Sequence, residues 1–208
     1  MKKIFATLAC AMLALATLGA QTPEEIIARM DQETAKFDAE GFSMVMEIKL
    51  PIIGAMATTI YTRGDKYKMV TDVKGEKVLN WSDGATDWLY DPSKNEITIT
   101  KTNTEKPSDA QDSKNMLDSV TEGYDVKIKK ESSASWEMLC TKSKSNTKKD
   151  DPKTMHLIVS KATYLPISLK ATMSGVTVTL RDFKRGISEN EVTFDQTKYS
   201  GATIIDKR

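Results

Sequence analysis

The chain has 208 residues, 30 lysines and arginines against 29 aspartates and glutamates, one histidine and two cysteines. A balance this close to neutral gives no overall sign of nucleic-acid binding or polybasic membrane attachment, and one histidine with two cysteines cannot make a zinc site of ordinary composition. The length suits a single domain with its own core.

Residues 1–20 read as a secretory signal peptide. Lys2 and Lys3 form a positive start, Ile4 to Leu18 is an apolar run, and Gly19-Ala20 offers small residues for cleavage before Gln21. Ala14 and Ala16 offer an alternative small-x-small site. Cys10 lies too early, inside the apolar run, to act as a lipoprotein cysteine. Processing at Ala20 leaves one domain, residues 21–208, with 28 basic and 29 acidic residues. It also leaves Cys140 as the only cysteine, so no internal disulfide is available and stability must come from packing.

The mature chain opens with a helix. Thr22 can cap it, Pro23 suits its first position, and Glu25 completes a Thr-x-x-Glu capping box. Ile26, Ile27, Met30 and Phe37 form one apolar stripe, and Gly41 stops the helix. The period then changes from 3.6 to 2. Phe42, Met44, Met46, Ile48 and Leu50 alternate with more polar neighbours as a strand. Strands follow at Met56–Arg63 and Lys66–Val73, where Tyr67, Met69, Thr71 and Val73 share a face. A Trp81/Trp88 hairpin turns at Asp83-Gly84, with a further strand at Glu96–Thr100.

Residues 102–115 are polar and interrupt the sheet. A short helix carrying Met116, Leu117 and Val120 is expected before Gly123. Strands resume at Tyr124–Lys130, Trp136–Thr141, Met155–Ser160, Leu165–Met173 and Val176–Phe183. The charged stretch 142–153 reads as a solvated hairpin connection. Tight turns without intervening helices predict an antiparallel meander, a mainly β (α+β) domain with few helices to cover its face. No later segment is long and apolar enough to span a membrane as a helix.

Catalytic groups are scarce. There is no Gly-x-Ser-x-Gly, no phosphate-binding glycine loop and no His-Glu-x-x-His, and His156 reads as an outward strand residue. The expectation is a protein that is not an enzyme, with no cofactor, no metal and no catalytic residues. Methionine is abundant, eleven in all. It packs adaptably, which suits a wall that meets variable ligands, although filling a core is the plainer use.

Three motifs carry a family resemblance. Val78…Trp81-Ser82-Asp83-Gly84…Trp88-Leu89-Tyr90-Asp91-Pro92…Ile97-Thr98 resembles the central hairpin of LolA-type outer-membrane lipoprotein carriers, within the LolA/LolB-like superfamily. Leu157…Tyr164-Leu165-Pro166-Ile167 and Phe194…Tyr199…Ile204-Ile205-Asp206 are similar to its late hairpin and closing tail. The resemblance implies a curved, incomplete antiparallel β-barrel covered by the N-terminal amphipathic helix and a short lid helix. It implies a periplasmic carrier, or chaperone, that binds lipoprotein acyl chains in an apolar cavity and moves them from inner to outer membrane. Implied partners are acylated lipoproteins, an inner-membrane lipoprotein-releasing ABC transporter and an outer-membrane acceptor, served by a monomer that binds no nucleic acid. The alternative is a lipid- or lipoprotein-sensing module of the same fold in envelope signalling.

Alternation nominates Met44, Met46, Ile48, Met69, Trp88, Met116, Leu117 and Met173 as cavity residues. The resemblance also implies an arginine in an early strand that ties a lid through backbone carbonyls. Arg63 falls near that place, and a surface turn arginine is the alternative reading.

Overall fold

The computed structural model describes residues 21–103 and 120–208, and everything below concerns those residues. The signal peptide expected at 1–20 and the lid helix with Met116 and Leu117 lie outside them.

The N-terminal helix starts as its sequence dictates. In α1 (Pro23–Thr34) the Thr22 hydroxyl accepts from the Glu25 amide at 3.2 Å, and the Glu25 carboxylate accepts from the Thr22 amide at 3.1 Å. Two orphan donors of the first turn are thereby satisfied. The helix does not run unbroken to Gly41. It breaks at Ala35-Lys36 and resumes as α2 (Phe37–Glu40). Thr34, β-branched, sends its hydroxyl back to the Met30 carbonyl at 3.1 Å, a bond that competes with regular propagation. Gly41 ends α2 at φ 72°, a conformation costly for any residue with a Cβ.

Twelve strands form one sheet: β1 (Phe42–Leu50), β2 (Gly54–Arg63), β3 (Lys66–Val73), β4 (Glu76–Ser82), β5 (Thr86–Asp91), β6 (Glu96–Lys101), β7 (Tyr124–Glu131), β8 (Ser135–Lys142), β9 (Thr154–Ser160), β10 (Pro166–Met173), β11 (Val176–Arg185) and β12 (Thr203–Asp206). Their spatial order is β12-β6-β5-β4-β3-β2-β1-β11-β10-β9-β8-β7. Two meanders, β1–β6 and β7–β11, thus join where β1 meets β11. Every pair is antiparallel except β12, which runs parallel to β6. The sheet is open and curved, and the expectation of an incomplete, mainly β barrel holds.

Register explains the layers, because directly paired residues share a face. One row crosses seven strands as Thr58, Met46, Leu180, Leu169, Leu157, Met138 and Ile128. The inner face that contains this row packs under Ile26, Met30 and Phe37 of the helices. The opposite face has a second, smaller core. Trp81, Trp88 and Ile99 lie side by side across β4, β5 and β6, and the C-terminal segment returns to cover them. Phe194 stacks on Trp88 with centroids 5.2 Å apart, and Phe194 and Tyr199 approach Trp81 edge-on at 5.3 and 5.7 Å. The result is helix, sheet and tail in three layers.

Candidate functional site: an apolar cavity at one end of the sheet

The N-terminal helices are fastened at one end of the sheet. Arg29 donates to the Tyr164 hydroxyl at 3.0 Å and lies over its ring. Arg185 pairs with Glu33 at 2.5 Å and with Glu40 at 3.0 Å. Arg63 donates to the carbonyls of Glu40 and Ile187 at 2.8 and 2.7 Å. Tyr164 lies in the β9–β10 turn, Arg185 ends β11 and Arg63 ends β2, so all three anchors belong to the same end.

At the other end α1 comes near β7 around Tyr124 and Val126 but lines no part of the inner face over β9, β10 and β11. A cavity of about 500 Å³ opens there, lined by apolar Val120, Met155, Leu169, Ala171, Met173, Val176 and Val178, and no residue of α1 contributes. Its floor follows from register. Met155, Ala171 and Val178 are consecutive in the row Met56, Ile48, Val178, Ala171, Met155, Cys140 and Val126. Its other wall is the β8–β9 connection, with Asn146, Lys148, Asp150, Asp151 and Pro152.

The sequence reads that connection as a solvated loop, yet its backbone is tied down over the cavity. Ser143 donates to the Gly123 carbonyl at 2.9 Å, the Tyr124 hydroxyl donates to the Pro152 carbonyl at 3.0 Å, and Asn146 donates to Asp151 at 2.7 Å. Side-chain and backbone bonds within the loop hold its polar groups, so the charged residues stand at the mouth and the apolar ones form the floor. Burial raises the Tyr124 hydroxyl pKa above the usual tyrosine value, with Asp151 and Cys140 adding to it.

The residues nominated by alternation are distributed unevenly. Met173 lines the cavity. Ile48 pairs with Val178 and so borders the floor on the same face. Met46 packs partly buried against the core. Met44 (0 % exposed) and Met69 (9 %) belong to the packed core itself. Trp88 lies on the opposite face, under Phe194. Met116 and Leu117 fall outside the described residues. Arg63 makes two carbonyl bonds, and the elements it joins are the end of α2 and the segment after β11. Sequence reading missed Met155, Leu169, Ala171, Val176, Val178 and the 146–152 wall. Ala171 and Val178 had a usable signal, since they continue the alternation of Leu169 and Leu180. The wall had none.

Chemically the site is an apolar floor with polar and charged residues on one wall. Among the described residues no three His, Cys, Asp or Glu side chains gather to hold a metal. Cys140 lies beside the floor in the same register row, fully buried, and burial raises its pKa to about 11, so its thiol stays protonated and unreactive near neutral pH. On the opposite face the Lys68 ammonium lies over the rings of Tyr61 and Trp81 at 5.7 and 5.8 Å. Burial lowers its pKa, Lys198 adds to that shift, and Glu191 opposes it.

No protein-family model and no curated protein matches the sequence. Solved structures do match by shape. LprF of Mycobacterium bovis is similar with a TM-score of 0.53 and 10% identity, over 82% of this chain and 96% of that one. The Mycobacterium tuberculosis lipoprotein LppX is similar with a TM-score of 0.51 and 8% identity, over 83% of this chain and all (100%) of that one. A LolA superfamily protein of Nitrosomonas europaea aligns over 85% of this chain and 99% of its own, with 12% identity and a TM-score of 0.34, too loose to add to the argument. The open sheet, its helix layer and these two matches agree on the fold: an incomplete antiparallel β-barrel shared with LprF and LppX, the architecture that the sequence motifs imply.

Proposed function

We propose that the protein is an envelope carrier that shelters the acyl chains of lipoproteins in the cavity between the inner face of the sheet and the 146–152 wall, without catalysis. The observation that carries this reading is the cavity itself: about 500 Å³ with an apolar floor built by one register row across β9, β10 and β11. That volume lies within the range of about 300–1,000 Å³ usual for small-ligand sites. Each methylene moved from water to such a floor contributes about 0.8 kcal/mol, so a single acyl chain is held firmly without a covalent bond. The methionines at floor and rim, Met155 and Met173, adapt to a flexible chain and let it leave again. The export signal read at residues 1–20 and the family resemblance favour work in the periplasm, between an inner-membrane ABC transporter and an outer-membrane acceptor.

The test uses membranes bearing a radiolabelled triacylated lipoprotein. Incubation with the mature protein should release the lipoprotein into a soluble one-to-one complex. Ala171→Trp, which places a large ring in the cavity floor, should abolish release while the far-ultraviolet circular dichroism stays unchanged. No release by the wild type, or equal release by Ala171→Trp, would remove the proposal.

A further inference from the structure

The least covered large apolar side chains among the described residues stand together at the cavity's end of the sheet. Ile52 is 97 % exposed and Ile53 83 %, at the tip of the β1–β2 hairpin. Pro51 of the same tip lies against the β10–β11 turn: a Cβ added to Gly175 would be 3.4 Å from its ring. That turn separates Met173 and Val176, which line the cavity, and Met173 is itself 44 % exposed. The hairpin tip is therefore continuous with the cavity rim. Met56, paired with Ile48 in β1, continues the apolar surface inward at 49 % exposure.

The β8–β9 connection beside the mouth has an excess of lysine, while the charged residues lining the cavity itself are Glu122, Lys148, Asp150 and Asp151. The β8–β9 connection, residues 142–153, carries five lysines against Asp150 and Asp151. Strand direction puts it at the same end as the β1–β2 tip, since β8 and β1 both end there.

From this arrangement we propose that the end of the sheet bearing Ile52 and Ile53 docks on an anionic phospholipid bilayer, with the two isoleucines inserted among the headgroups and the lysine-rich connection facing the phosphates. The occupant follows from shape and charge. A stable protein partner needs about 800 Å² of complementary surface on each side, which a projecting two-residue tip does not offer. A bilayer needs no matching groove; it takes isolated apolar anchors backed by lysines. Docked in this way, the cavity mouth faces the membrane, and an acyl chain passes from bilayer to floor without crossing water. The inference deepens the carrier reading by naming where the lipid surface meets the cavity.

Two measurements on the mature protein separate docking from carrying. In the first, sedimentation is followed with vesicles of phosphatidylethanolamine and phosphatidylglycerol, and with vesicles of phosphatidylcholine alone. The wild type should partition to the anionic vesicles. Ile52→Asp/Ile53→Asp should reduce that partition on the order of tenfold or more, and Lys144→Glu/Lys149→Glu should reduce both the partition and its salt dependence. Both tip residues are exposed, so circular dichroism and Tm should not change. In the second, uptake of a fluorescent fatty acid from solution, without vesicles, should be the same in the tip variant as in the wild type.

Wild-type indifference to anionic vesicles, or equal partition of the tip variant, would overturn the docking proposal. So would a concentration-dependent dimer, formed without lipid and lost in the tip variant, since the tip would then bind a second copy. Vesicle binding without fatty-acid uptake would leave docking intact and remove the carrier reading.

Discussion

Arg63 and Glu40 are joined through the backbone: one guanidinium nitrogen donates to the Glu40 carbonyl at 2.8 Å and to the Ile187 carbonyl at 2.7 Å. The Glu40 carbonyl is one of the unsatisfied acceptors at the end of α2, and Ile187 begins the segment that returns toward the outer core. One side chain therefore ties the helix layer, the sheet and the tail together at the end remote from the cavity.

Arg63→Leu should lower stability by about 2 kcal/mol, since charged hydrogen bonds to carbonyls are stronger than neutral ones and here the group is partly solvated. Denaturant midpoints measure this. Hydrogen exchange should rise at the amides of residues 37–41 and 186–188 and stay unchanged in β8 and β9. Arg63→Lys, with a compact ammonium, should recover less than the full loss. Exchange unaltered at residues 37–41 would show that the helix end is held by other contacts.

Gly41 permits the same junction. At φ 72°, an added Cβ would lie 2.8 Å from the Thr62 carbonyl oxygen and 3.0 Å from that of Ile187. Both neighbours are backbone and cannot rotate away. Gly41→Ala should cost about 3 kcal/mol or more, from the left-handed conformation and the contact together, whereas Gly64→Ala, with open space around it, should cost only the conformational part. Comparing the two melting curves isolates the contact.

Core and cavity methionines should respond differently to a charge. Met44→Asp buries an unpaired carboxylate at a fully covered position and should abolish folding. Met173→Asp lies on the rim, 44 % exposed, and should fold normally but take up acyl chains more weakly. A folded Met44→Asp protein, seen by near-ultraviolet circular dichroism, would contradict the assignment of Met44 to the packed core.

The Cys140 thiol gives an alkaline signature. Its pKa rises from 9.0 to about 11 in the folded protein because burial disfavours the thiolate. Between these values the folded state binds more protons than the unfolded one, so this contribution is complete below pH 9 and is lost as pH climbs toward 11. Measured as the difference between wild type and Cys140→Ala, the loss should be about 2 kcal/mol over that interval. A thiol reagent should modify the native protein far more slowly than the unfolded chain.

The tail's grip on the outer face rests on Phe194, stacked on Trp88 at 5.2 Å and set edge-on to Trp81 at 5.3 Å. Phe194→Ala should cost about 2 kcal/mol and shift tryptophan emission to longer wavelength as water reaches both indoles.

Much of the β architecture was legible because its signals are local. The Thr22–Glu25 capping box, the turn at Asp83-Gly84, and the alternation of Met44, Met46 and Ile48 each depend on neighbours a few residues away. The same alternation put Met173 on the inner face, because residues two apart in a strand always share a side. Trp88 shows where that logic stops. Its hairpin is apolar on both sides, Leu79 and Trp81 on one and Val78 on the other, so period alone could not choose a face.

Tertiary structure made that choice. Phe194 and Tyr199, more than a hundred residues later, return to cover Trp81 and Trp88, while β12 pairs parallel to β6, a long-range contact with no local mark. The sequence by itself determined that this chain forms a capped helix and a meander with a methionine-rich face. Only the assembled sheet decided which methionines became core and which became rim. The N-terminal helices are fastened at one end by Arg63, Arg185 and Tyr164; Met44 and Met69 join the packed core with them, and Ala171, Met173 and Val178 line the cavity at the other end.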